Sequence, residues 1–291
     1  MKAIIFGING QDGYFLKELL LSQGVEVLGV SRSGENFTKG DVSDFEQVKF
    51  LIEKNQPDFI FHFAAISTTK HSALFDNHKA ISTGTLNILE GVRLSCPQAK
   101  VFLSGSAMQF KNEGQPINEN TPFEAKSPYA VARIQSVYAG RYYRDAFGLS
   151  VYIGYFFNHD SVRRTEEHVN QKIVQTIKRI KSGSEEKLEL GNIDVKKEFN
   201  YAGDIVEAVW MMVNQDAVFE AVIGCGEAHS IKEWVEYCFN KIGKNWQDYV
   251  TVRKNYAPEY DVLVSNPKLI TSIGWKPKIN FEKLADLMME A

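Results

Sequence analysis

Two periods of apolar patterning take turns along the chain. Mostly apolar runs of strand length occupy residues 3–6, 26–30, 59–65, 100–104 and 150–157. Between them lie stretches with helical spacing at 14–23, 45–54, 81–93 and 129–147, the last placing Val131, Ile134, Tyr138 and Tyr142 on one face. Strands and helices in regular turn predict βαβ units, and so an α/β fold built on a Rossmann-type, doubly wound parallel sheet. After Asn158 the alternation loosens, and Arg and Lys mix with Gly and polar residues as far as Glu198. That change marks a smaller C-terminal substrate-binding α/β part. Within the remainder, 205–213 reads as helix, 221–224 as a short strand and 231–242 as helix. A Gly274-Trp275-Lys276-Pro277 turn precedes a last short helix.

The first strand-to-helix junction carries Gly7-Ile8-Asn9-Gly10-Gln11-Asp12-Gly13. Glycines at such a turn let the backbone approach a pyrophosphate, whose charge then meets the unpaired N–H groups of a helix N-terminus. A dinucleotide is the expected ligand, held by Gly7, Asn9, Gly10, Gln11, Asp12 and Gly13. An acid at the end of the second strand would take the ribose 2′-hydroxyl of NAD. Here that strand ends Val30-Ser31-Arg32-Ser33, and Arg32 with two hydroxyls suits a 2′-phosphate, which favours NADP(H) over NAD(H). The alternative leaves Arg32 a solvated charge and gives the ribose to Glu35. Asp41 and Val42 are placed for the adenine.

A formal net charge of −3 over 291 residues supplies no broad basic field, so nucleic acid is not the expected partner. Cys96, Cys225 and Cys238 are too widely spaced for a zinc site, and an odd count suits a reducing compartment. No apolar run reaches membrane-span length, and the glycine loop begins too early to leave room for a signal peptide. A cytoplasmic protein without a metal is expected.

Further strings narrow the reading. His62-Phe63-Ala64-Ala65, Ser104-Gly105-Ser106 and Tyr129-x-x-x-Arg133 resemble the extended short-chain dehydrogenase/reductases, the family of NAD-dependent epimerases and dehydratases. Within it, residues 158–164, 190–197, 201–204 and 226–230 look most like the group of GDP-mannose 4,6-dehydratase and GDP-4-keto-6-deoxymannose reductase. The resemblance covers nearly the whole chain. It implies that residues 1–157, with 199–224 returning, bind the dinucleotide, and that 158–198 with 225–291 bind a nucleotide sugar. It also implies a homodimer through the helices at 81–93 and 129–147.

The residues that carry the chemistry are implied in the same way. Tyr129 would exchange a proton with the sugar C4 oxygen, and Ser106 would orient that oxygen. Free tyrosine has a pKa of about 10, so the family keeps a lysine one helical turn on; here that residue is Arg133, a planar fork rather than a compact ammonium. Arg133 carries the charge at that position, with Lys126 a conceivable substitute. Phe63, Ala64 and Ala65 join Tyr129 and Arg133 around the cofactor. Ser67, Ser106, Asn158, Arg163, Arg164, Lys172, Lys197, Tyr256 and Glu259 form the expected substrate set, although each Lys or Arg also reads as a solvated surface charge. Ile81 stands where the superfamily commonly has an asparagine. Two residues beyond Ser106, dehydratases carry the glutamate that takes the C5 proton, and this chain has Met108, which accepts no proton. The expectation is therefore an NADP(H)-dependent oxidoreductase acting at C4 of a GDP-linked deoxyhexose or heptose, as a 4-keto reductase or in reverse. An epimerase or dehydratase that returns the hydride, or a non-catalytic dinucleotide sensor, are the alternatives.

Overall fold

The computed structural model describes residues 1–254 and 256–290. Its first half runs β1 (Lys2–Phe6), α1 (Gln11–Ser22), β2 (Glu26–Ser31), β3 (Thr38–Lys39), α2 (Phe45–Asn55), β4 (Phe59–His62), α3 (Leu74–Asn77), α4 (Gly84–Ser95), β5 (Lys100–Ser106), α5 (Pro128–Phe147) and β6 (Val151–Phe156). The second half runs β7 (His159–Asp160), α6 (Val169–Lys181), β8 (Leu188–Leu190), β9 (Lys196–Lys197), β10 (Asn200–Tyr201), α7 (Ala202–Val213), β11 (Glu220–Ile223) and β12 (His229–Ser230). It finishes with α8 (Ile231–Lys241), β13 (Val250–Val252), β14 (Val262–Leu263), α9 (Lys268–Ser272) and α10 (Phe281–Glu290).

Seven parallel strands form the central sheet in the order β11-β6-β5-β4-β1-β2-β3. The strands are apolar on both faces because helices cover both. Ile4, Ile60, Val101 and Ile153 pack with Val48, Ile88 and Val137 from α2, α4 and α5. On the other face, Ile5, Phe61 and Phe102 pack with Leu16 of α1 and Val209 of α7. The chain leaves β1 in one direction and returns to β4 on its other side, so a switch point opens at their carboxyl ends, where ligands of such sheets sit. Gly7 and Phe63 follow those two strands directly.

Three local features set the site. Ser127 caps α5 by accepting from Ala130 N at 3.1 Å with Pro128 behind it, which puts Tyr129 in the first turn. The strand expected at 59–65 stops at His62, freeing Phe63, Ala64 and Ala65 to line a cavity. The helix expected from 81 begins at Leu74 and passes through a wide π turn at His78–Thr83, in which Ile81 is fully buried. Along α5, Val131, Tyr138 and Tyr142 are 38%, 58% and 58% exposed, so their shared face is an outer one.

The stretch in which the alternation loosens, for which no helix was expected, contains α6. Ile173, Val174, Ile177 and Ile180 are buried in a third core with Trp234 and Phe239 of α8 and Phe281 and Leu284 of α10. Their spacing is helical, but the lysines and glutamines between them give this short helix a polar outer face that masked it in the sequence.

Candidate active site

Two cavities meet at Phe63 and Ala65. The wider, about 650 Å³, lies along the carboxyl ends of β1 and β2; the other, about 450 Å³, lies between β5, α5 and the segment after β6.

The wider one is shaped by close backbone approach. Gly7 has φ +89°, and a Cβ there would stand 2.5 Å from Ala64 N. At Gly13 it would stand 2.6 Å from Gly7 O. Gly10 precedes α1 with no side-chain cap, so N–H groups of the first turn remain open to an anion. These features fit a pyrophosphate. Gly7, Asn9, Gly10, Arg32, Asp41, Val42, Phe63, Ala64 and Ala65 line this cavity, with Ser31 and Ser33 flanking Arg32 in sequence and Lys79 also in the wall. Glu35 does not line it. Asn9 Nδ2 donates to Ser33 Oγ at 3.0 Å, tying the loop to the β2 tip. The Asp41 carboxylate accepts from Ser43 N at 2.9 Å and Ser43 Oγ at 2.8 Å. Burial works to raise its pKa, but those bonds outweigh that effect and hold it below its ordinary value.

Gln11 and Asp12 face elsewhere. Gln11 Oε1 accepts from Ser161 Oγ at 2.7 Å, and Asp12 Oδ1 lies 2.9 Å from His159 Nε2. Burial works to raise the Asp12 pKa, but His159, with Arg164 beside it, keeps the carboxyl well below the usual range. Asp12 reaches the second cavity, whereas Gln11 and Gly13 line neither. Both side chains thus dock the segment after β6 onto the glycine loop. Gly13 acts through the close contact with Gly7 O.

Ser106, Met108, Tyr129 and Arg133 line the second cavity. Ser106 ends β5 and caps the turn that follows: its Oγ accepts from Met108 N at 3.2 Å, and its own N donates to Gln109 Oε1 at 2.9 Å. The hydroxyl proton of Ser106 remains available. Arg133 is only 5% exposed. Its Nη1 donates to the Ser104 carbonyl and, at 2.8 Å, to Ser104 Oγ, which itself donates to the His62 carbonyl at 2.8 Å. The guanidinium carbon sits 5.1 Å from the Tyr129 ring centroid. Arg133 Nε is buried with no partner among the described residues. Burial, and after it the Arg133 charge, push the His62 pKa down to about 4, so this imidazole is neutral at pH 7. Lys126 pairs with Glu124 at 2.7 Å and does not line the Tyr129 cavity.

Of the expected substrate set, Ser67, Ser106, Asn158, Arg164, Lys197 and Glu259 line this cavity. Three expected residues stand outside it. Arg163 stacks on Tyr14, 3.9 Å from the ring centroid, because the segment turns its side chain outward there. Lys172 reaches from α6 to β8 and donates to the Glu189 carbonyl at 2.8 Å, and Tyr256 lies half-exposed against Gly191.

The structure adds residues that the sequence did not single out. Asp160 accepts from Asn170 Nδ2 at 2.7 Å and lies 3.6 Å from Arg164 Nε. Lys197 is buried beside this pair; desolvation lowers its pKa, and Asp160 opposes that effect. His168 and Glu167 also line the cavity, and burial lowers the His168 pKa. Asp160 lies inside the string 158–164, but only the fold brings Arg164 and Lys197 to it. Among the described residues, no group of three or more His, Cys, Asp or Glu is placed to hold a metal, and no helix is long and apolar enough to cross a membrane.

Comparison with known proteins agrees with this architecture. The profile of the GDP-mannose 4,6 dehydratase family matches residues 4–288. GDP-mannose 4,6 dehydratase 1 of Arabidopsis thaliana is 35% identical over 319 aligned positions, covering 99% of this chain and 88% of that protein. Among solved structures, UDP-glucose 4-epimerase of Thermus thermophilus in complex with NAD superposes with a TM-score of 0.85 at 22% identity, covering 100% of this chain and 98% of the other. RMD from Pseudomonas aeruginosa complexed with NADPH superposes with a TM-score of 0.87 at 18% identity, covering 99% and 96%. At those identities the two structures establish the fold.

Proposed function

The chain belongs to the GDP-mannose 4,6-dehydratase family, and from that premise we propose that it is a nucleotide-sugar oxidoreductase that transfers hydride at sugar C4 and omits the elimination of water. When bound in the cleft, a nicotinamide dinucleotide supplies or accepts the hydride. The glycine cradle holds its pyrophosphate. Arg32, with Ser31 and Ser33, favours a 2′-phosphate and hence NADP(H), since a cation stands at the β2 tip where an NAD site keeps an acid, and Lys79 lines the same cavity.

In this reading Tyr129 gives its hydroxyl proton to the C4 oxygen in reduction, or takes one in oxidation. Ser106 turns its free O–H proton onto the same oxygen, because its acceptor side already holds Met108 N. The guanidinium of Arg133 stabilises negative charge developing at Tyr129 from the face of its ring. Arg164 and Lys197, with Asp160 offsetting only one of their charges, hold the diphosphate. Guanine follows from family membership, and residues 158–198 and 225–291 supply most of the nucleotide-sugar side. The exposed face of Val131, Tyr138 and Tyr142 is the surface through which we expect two copies to pair.

The observation that carries the proposal is Met108. It lines the sugar cavity where dehydratases place the base for C5, and a thioether takes no proton. Asp12 and Asp160 are committed to His159 and to Asn170 and Arg164, and Glu167 is an exposed residue of the cavity wall. One observation favours a second reading: Glu259 shares a cavity wall with Met108, and its carboxylate accepts from Thr69. A base there would make the protein a dehydratase like its relatives.

The test supplies NADPH and GDP-4-keto-6-deoxymannose generated in situ. Stoichiometric loss of NADPH is expected, with a fall of about 10³-fold in kcat for Tyr129→Phe. Sugar rearrangement without net NADPH loss would replace the reductase reading with an epimerase or dehydratase. Cofactor binding without turnover on any 4-keto sugar would leave the sensor.

A further inference from the structure

Met108 has a second neighbour. Behind it lies another cavity, about 450 Å³, that shares Thr69, Ala107, Met108, Glu259, Tyr260 and Leu263 with the sugar cavity. The two spaces are therefore one wall apart, and one piece of that wall is a flexible thioether.

The side cavity mixes apolar and polar surface. Phe110 and Leu263 are buried, and Val262 and Met108 are partly so. Its polar groups are largely committed to the chain itself. Asn112 Nδ2 donates to the Val262 carbonyl at 2.8 Å while its Oδ1 accepts from Gly114 N at 2.9 Å. Ser127 Oγ caps α5, Glu113 pairs with Lys111 at 2.6 Å, and Lys126 pairs with Glu124. Asp261, exposed at the edge, has no side-chain partner among the described residues. A ligand group entering here meets the carbon surface of Phe110, Val262 and Leu263, the paired carboxylates Glu113 and Glu259, and the carboxylate of Asp261.

Resting on the reading of Tyr129 and Ser106 at C4, Met108 faces the C5 side of the ring, since it stands where a dehydratase places the C5 base. We propose that the substrate carries at C5 a chain longer than the single carbon of a hexose, and that this chain occupies the side cavity past Met108. Met108 is then a specificity-determining residue. A single carbon at C5 would leave most of this space to water, and burying a longer chain against Phe110, Val262 and Leu263 supplies the preference.

Equilibrium binding to the full chain tests this without turnover, using GDP, GDP-mannose and GDP-mannose acetylated at the C6 oxygen as probes. The acetylated probe is expected to bind about tenfold more tightly than GDP-mannose. In Val262→Trp, which fills the side cavity, that ratio is expected to fall to about one. Equal affinities in the unaltered protein, or a preference for GDP-mannose, overturn the side-cavity assignment even if the variant does not fold, while leaving the nucleotide-sugar reading in place. Failure of GDP itself to bind would remove that reading and this proposal together. An unchanged ratio in a folded Val262→Trp also overturns it.

Discussion

The two halves of the cleft are built from different materials. The cofactor half is shaped by main chain: Gly7 at φ +89° against Ala64, Gly13 against the Gly7 carbonyl, and an uncapped helix start at Gly10. The sugar half is shaped by side chains borrowed from distant segments, as in the run Arg133–Ser104–His62 and the cluster Asp160–Arg164–Lys197. A main-chain cradle tolerates no added atom. A side-chain network can lose one bond and keep the rest. The first half is therefore brittle and generic, and the second is adjustable, which is where this chain departs from its family at Met108 and Arg133.

Substitutions can break this contrast or sharpen it. Gly7→Ala should have the largest effect, because its Cβ would fall 2.5 Å from a backbone nitrogen at a backbone angle that L-residues avoid. We expect a loss of about 3 kcal/mol of stability by denaturant titration, with dinucleotide binding abolished. A well-folded Gly7→Ala that still binds cofactor would show that the cradle is not main-chain limited. Arg32→Ala should be milder and selective. The ratio of NADPH to NADH affinity is expected to fall about tenfold or more, as one charge-assisted contact is lost while Lys79 remains. No change in the ratio would remove Arg32 from cofactor choice. Ser104→Ala should be the smallest, since the Ser104 carbonyl still holds Arg133. We expect kcat to fall about fivefold with KM unchanged, and Ser104→Thr to retain activity through its hydroxyl. Equal losses in both variants would mean that packing at this site matters and the bond to Arg133 does not.

The same contrast governs what the sequence revealed. The sheet and its helices were legible because buried strands and amphipathic helices write their burial into the chain at periods of two kinds. Glycine spacing exposed the cradle because a main-chain constraint falls on consecutive positions. The roles of Gln11 and Asp12 were not legible. Their partners Ser161 and His159 lie about 150 residues away, and nothing in a local string shows that the loop docks there. Arg163 and Arg164 are neighbours in sequence yet point to different sides of the segment, one onto Tyr14 and one toward Asp160. Lys79 escaped notice because it precedes the helix expected at 81–93, and only the π turn carries it to the cofactor cavity. Helix α6 was obscured by its basic outer face, although Ile173, Ile177 and Ile180 keep helical spacing.

The central claim is that this site moves hydride at C4 without abstracting the C5 proton. Incubation with GDP-mannose and oxidised cofactor in D₂O, followed by mass and proton spectra of the sugar, tests it directly. The account predicts no deuterium at C5 and no sugar product lighter by one water. Deuterium at C5 together with loss of water would contradict it, and loss of both signals in Glu259→Gln would identify that carboxylate as the base in place of the absent glutamate.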